Sequence, residues 1–84
     1  MARKQLGRYV VIDSEICHGK PTFAGTRIMV WQVLDRVAAG ESWEEIMADW
    51  PDSISREAIS EAVQLAKRAF LDHAAEYGVE SKSA

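Results

Sequence analysis

Apolar residues change their spacing twice along this chain, and the changes mark its parts. Tyr9-Val10-Val11-Ile12 is an unbroken β-branched and aromatic run, which predicts a strand. From Gly19 to Val30 the pattern is short and interrupted. Pro21 fixes one backbone angle and holds Lys20 extended, and Gly25 permits a turn. Phe23, Ile28 and Val30 flank that turn, so two short extended pieces joined at Ala24-Gly25-Thr26 are predicted. From Val30 onward the period is helical. Val30, Val33, Leu34, Val37 and Ala38 share a face, and Gly40 suits the end of that helix. Ser42 and Glu45 form a capping box that opens a second helix, carrying Trp43, Ile46, Met47 and Trp50 and stopped by Pro51. Ser55 caps a third helix, predicted from about Arg56 to Tyr77 and ended by Gly78. Ile59, Val63, Ala66, Phe70, His73 and Tyr77 run along one stripe of it.

These elements predict a mainly α fold with a small β element. An N-terminal strand and short hairpin precede a three-helix, helix-turn-helix unit. Residues 1–8 read as a flexible N-terminus, 9–78 as a single helix-turn-helix-like domain and 79–84 as a flexible tail. The strand at Tyr9–Ile12 has no long partner in its own chain, and such an edge is normally paired or covered. A chain of 84 residues also has a small core and gains from a partner. A homodimer is therefore expected. The third helix outruns the two short ones, yet Phe70, Leu71, Ala74 and Tyr77 at its far end remain apolar beside Asp72 and Glu76. That end is the candidate surface for a protein partner.

Charge divides the chain. The net value is −3, but residues 1–40 carry +3 and residues 41–84 carry −6. An anionic partner suits the first half and a cationic one the second. A helix-turn-helix reads DNA with its last helix. The head of that helix here is Ser55, Arg56, Glu57, Ser60 and Glu61, with a single base and two acids that repel phosphates. Contact with DNA then falls to Arg3, Lys4, Arg8, Lys20, Arg27, Arg36 and Arg56. Arg27 has a competing reading, in which it pairs with Asp13, Glu15 or Asp35 and ties the strand to the helices.

Chemistry beyond binding has little support. Cys17 is the one cysteine, so no intrachain disulfide forms and a reducing, cytoplasmic setting is expected. Cys17 and His18 are adjacent, and neighbouring side chains point apart; no acid is placed to orient His18. The other histidine, His73, is far along a helix and reads as a packed or interfacial residue, so no metal site is assigned. No catalytic residue and no cofactor are read, and the chain is expected not to be an enzyme. No run approaches the roughly 20 apolar residues that span a bilayer.

Several blocks match a known pattern. Ile12-Asp13-Ser14-Glu15-Ile16-Cys17-His18-Gly19-Lys20-Pro21 is followed by Ala24-Gly25-Thr26-Arg27-Ile28, Val30, Ala39-Gly40-Glu41-Ser42 and Trp50-Pro51. Together they resemble the domain of unknown function 433 family, over about Val10 to Ala69. The Gly-Lys-Pro and Gly-Thr-Arg-Ile blocks at this separation carry most of the resemblance. Ser14 and Trp43 stand where that family commonly has proline. The resemblance implies a homeodomain-like helix-turn-helix protein. It also implies a bacterial type II antitoxin similar to the VapB type, paired with a toxin resembling PIN-domain ribonucleases. On that basis the expected function is a dimeric antitoxin and autorepressor that neutralises a PIN-like ribonuclease and binds operator DNA. The alternative is a protein-interaction or regulatory module with a degenerate helix-turn-helix. Toxin contact is assigned to Phe70, Leu71, Ala74 and Tyr77.

Overall fold

A computed structural model describes residues 3–78, with only the backbone of Tyr77, and in them three antiparallel strands, one turn of 3₁₀ helix at Cys17–Gly19 and four α-helices. Residues 1–2 and the 79–84 tail, both read as flexible, lie outside the described residues. The strands are β1 (Arg3–Gln5), β2 (Val10–Asp13) and β3 (Thr22–Phe23), in the order β1-β2-β3. Lys4 lies opposite Ile12, and Val10 opposite Phe23. The fold is therefore mixed, with more sheet than the single strand and hairpin expected.

β1 lies within residues 1–8, the stretch read as a flexible terminus. Arg-Lys-Gln has no apolar alternation, and all three residues are exposed. They form a strand because β2 offers its backbone, with Leu6 N–H donating to Val10 O at 2.9 Å. One correction follows. β2 is the middle strand, so the unpaired edge expected at Tyr9–Ile12 does not exist. The outer edges belong to β1, which is short and cationic in the manner that discourages strand addition, and to β3, which Met29 bridges at Thr22.

The hairpin after Pro21 forms as a tight turn. Phe23 N–H donates to Ile28 O, and Thr26 N–H and hydroxyl both donate to Phe23 O. Gly25, at φ +78°, takes the left-handed conformation that its lack of Cβ permits. The chain then enters α1 (Val30–Ala38), α2 (Trp43–Asp49), α3 (Arg56–Asp72) and α4 (Ala74–Tyr77). Local signals set these boundaries. Glu45 N–H donates to Ser42 Oγ and Ser42 N–H to Glu45 Oε1, at 3.1 and 2.9 Å. Ala58 N–H donates to Ser55 Oγ at 3.1 Å. α2 ends just before Trp50-Pro51.

One core joins sheet and helices. Val10 and Phe23 come from the sheet, Val30 and Val33 from α1, Ile46 from α2, and Ile54, Ala58, Ile59 and Ala62 from the start of α3 and the residues before it. Trp43 and Trp50 pack against it, whereas Trp31 is 53% exposed. The core stops at Ala62, with Val63 and Leu65 at its margin. The third helix stops short of its expected length as well. His73 leaves helical geometry (φ −122°, ψ 23°) and separates α3 from the single turn of α4. His73 is exposed, not packed, and its Nδ1 lies 2.7 Å from Glu76 Oε2.

Candidate functional site

The far end of α3 is where the molecule leaves most apolar surface uncovered. Phe70 is 57% exposed and Leu71 65%. Both follow the last buried position, Ala62, by two turns of helix. They follow one another directly, so their side chains leave the helix about 100° apart. The apolar patch read as one surface thus has two sides. Phe70 continues the stripe that Ile59 and Ala62 begin, and Ala74 and Tyr77 come after it on α4. Leu71 instead borders an open groove of about 560 Å³ between α3 and the β1–β2 turn. Leu6, Gly7, Gln64, Leu65, Arg68 and Asp72 are among its walls.

Glu61 builds that groove. Its carboxylate accepts from the backbone N–H groups of Arg8 and Tyr9, both at 2.7 Å, and so fastens the β1–β2 turn to α3. Gly7 makes room for it: a Cβ there would stand 2.6 Å from Glu61 Cδ. By sequence Glu61 reads as an acid that repels phosphates; in the fold it is a tie. Its partners lie more than fifty residues away, and no local pattern announces them.

The seven cations assigned to DNA fall in three places. Arg3 and Lys4 stand exposed on β1, and Arg8 follows in the turn with its guanidinium 5.6 Å from the Tyr9 ring centroid. Arg8 and Tyr9 also border a smaller groove of about 320 Å³ at the head of α3, together with Asp52, Ser53 and Ser55. Lys20 and Arg27 are exposed beside β3, at the opposite edge of the sheet. Among the described residues Arg27 pairs with none of Asp13, Glu15 and Asp35, which corrects its structural reading. Its carbonyl accepts from Cys17 Sγ at 3.4 Å, tying the hairpin to the loop before it. In that loop Cys17, His18 and Gly19 have φ of 51°, 58° and 79°, a left-handed turn that costs energy at the two non-glycine positions.

The last two cations are held inside the chain. Arg36 Nε donates to Glu41 Oε1 at 2.9 Å, its Nη1 pairs with Asp49, and its guanidinium lies 5.4 Å from the Trp50 ring centroid. The hydrogen bond to Glu41 is the chief cause that raises its pKa above the ordinary arginine value. Arg36 therefore clasps the α1–α2 connection. Arg56 pairs with Glu44 and lies over Trp43, joining α3 to α2. The head of α3 accordingly presents an arginine already matched by an acid, with Glu57 next to it.

What the described residues hold, then, is a small sheet-and-helix domain whose basic β1–β2 hairpin is tied to α3 at Glu61 and shares a groove with Leu71 and Asp72 at the far end of that helix. The model of the family described as Protein of unknown function (DUF433) matches residues 10–66, more than half of the chain, and the protein belongs to that family. No curated protein and no solved structure matches it. Among the described residues no helix is long and apolar enough to cross a membrane.

Proposed function

We propose that this protein is the antitoxin of a type II toxin–antitoxin module, acting as a homodimer on a PIN-like ribonuclease. One observation carries the reading: Phe70 stands more than half exposed on α3 beyond the end of the core, with Glu76 after it on α4. An aromatic anchor of this kind supplies binding energy when a partner pocket takes it up. Glu76 complements the basic surface that a ribonuclease needs for RNA, whereas Lys67 and Arg68, just before Phe70, do not. Phe70 and Ala74 make the toxin-facing side, and the protein works by occupation, not by chemistry of its own.

The same reading assigns operator DNA to the β1 hairpin, through Arg3, Lys4 and Arg8, in preference to the head of α3. The second reading is a protein-interaction module of the same fold that does not bind DNA. The pairing of Arg36 and Arg56 with acids favours it, because those two cations are already neutralised. Co-expression tests the antitoxin reading. The wild-type chain should restore growth to cells producing the ribonuclease encoded beside it, and Phe70→Asp should not. Equal rescue by both chains would remove α3 from the toxin contact. No rescue by the wild type would remove the antitoxin reading itself.

A further inference from the structure

The Leu71 side of α3 carries a charge order that a copy of itself complements. Leu71 projects from the groove wall, with Leu65 and Leu6 beside it. Arg68 and Asp72 are one turn apart on the same wall, and all three of Arg68, Leu71 and Asp72 are exposed. Among the described residues neither Arg68 nor Asp72 makes an ion pair. A basic residue placed before an acidic one at this spacing is the less favourable order within a helix, which leaves both charges available to a partner.

We propose that this groove is an interface between two copies of the chain, with their α3 helices antiparallel. A two-fold axis perpendicular to the helices reverses the order of residues on the facing copy. Arg68 then meets the partner's Asp72, Asp72 meets the partner's Arg68, and the two Leu71 side chains meet between the ion pairs. A two-fold interface requires such a self-complementary patch. The sheet offers no equivalent. β2 is enclosed on both sides, two β1 edges would bring Arg3 and Lys4 against like charges, and β3 is already bridged by the chain that follows it, at Ile28 and Met29. Phe70 leaves the helix on the other side, so the dimer and the toxin contact proposed above use different flanks of one element. This inference rests on the dimeric state of that reading and locates it.

Sedimentation of the full-length chain over a micromolar concentration range tests it. The wild type should be dimeric at tens of micromolar. Arg68→Asp and Asp72→Arg should each weaken dimerisation at least tenfold, and the double variant, with the charges exchanged, should restore it. Leu71→Asp should be monomeric. Far-UV circular dichroism checks that each variant is folded, and Leu71→Asp decides the matter if a charge variant is not. A monomeric wild type overturns the dimer and its location together. A dimeric wild type with folded single variants that associate equally well, or with a double variant that fails to recover, overturns the location alone.

Discussion

Glu61 ties two distant parts of the chain together with two hydrogen bonds. Replacing it by alanine leaves the Arg8 and Tyr9 amides to water and loosens the β1–β2 turn. A loss of about 1–3 kcal/mol in urea unfolding is expected. Gly7→Ala should act through the same contact, since the new Cβ displaces the Glu61 carboxylate, a flexible side-chain end. The two changes together should then cost no more than Glu61→Ala alone. Costs that simply add would mean that Gly7 serves something other than Glu61. The capping box makes a separate claim. Ser42→Ala should lower stability by about 1 kcal/mol. Glu44 and Glu45 are both held below the usual carboxylate value of 4.5, Glu44 by its own backbone amide and then Arg56, Glu45 by the Ser42 amide and then its hydroxyl. A lowered folded-state value means that the ionised form favours the fold. Their contribution is complete above about pH 4.5 and is lost as pH falls through the folded-state values. Urea unfolding of Glu45→Gln across this acid range should show a shallower pH dependence than the wild type; an unchanged slope contradicts the assignment.

Among the elements, α3 and β1 hold the functional claims and are the hardest to read from sequence. If the β1 hairpin contacts DNA, replacing Arg3, Lys4 and Arg8 by alanine should flatten the dependence of log affinity on log salt, by about one unit for each phosphate left without its cation. Arg36→Ala should leave that slope unchanged and reduce stability instead, because Arg36 is clasped by Glu41 and Asp49. Fluorescence anisotropy with duplex from the operator region measures the first, and thermal unfolding the second. The elements bounded by local chemistry are legible: Ser42 with Glu45, Ser55, Gly40 and Pro51 each act within a few residues. β1 is not, because its strand character comes from the β2 backbone and not from its own side chains. The site is legible in part. Phe70 and Leu71 stand out as surplus apolar groups, but their separation into two flanks needs the core to end at Ala62. The break at His73 is hidden because the apolar stripe continues past it, whereas the core that would hold the helix straight has ended by then.

At the scale of the molecule, the opposite charges of the two halves meet: Arg36 of the first half is held by Glu41 and Asp49 of the second, and Glu61 holds the turn that carries Arg8. The cationic hairpin is fastened to α3 by Glu61, and the acidic, apolar end of the helix extends beyond the core. The central claim is that Phe70 anchors a ribonuclease partner. Titration of the purified neighbouring ribonuclease with the full-length chain, read as RNA cleavage, tests it most directly. The account predicts stoichiometric inhibition by the wild type and at least a tenfold weaker effect from a folded, dimeric Phe70→Asp variant. Inhibition by Phe70→Asp at the wild-type concentration, or none by the wild type, would contradict it.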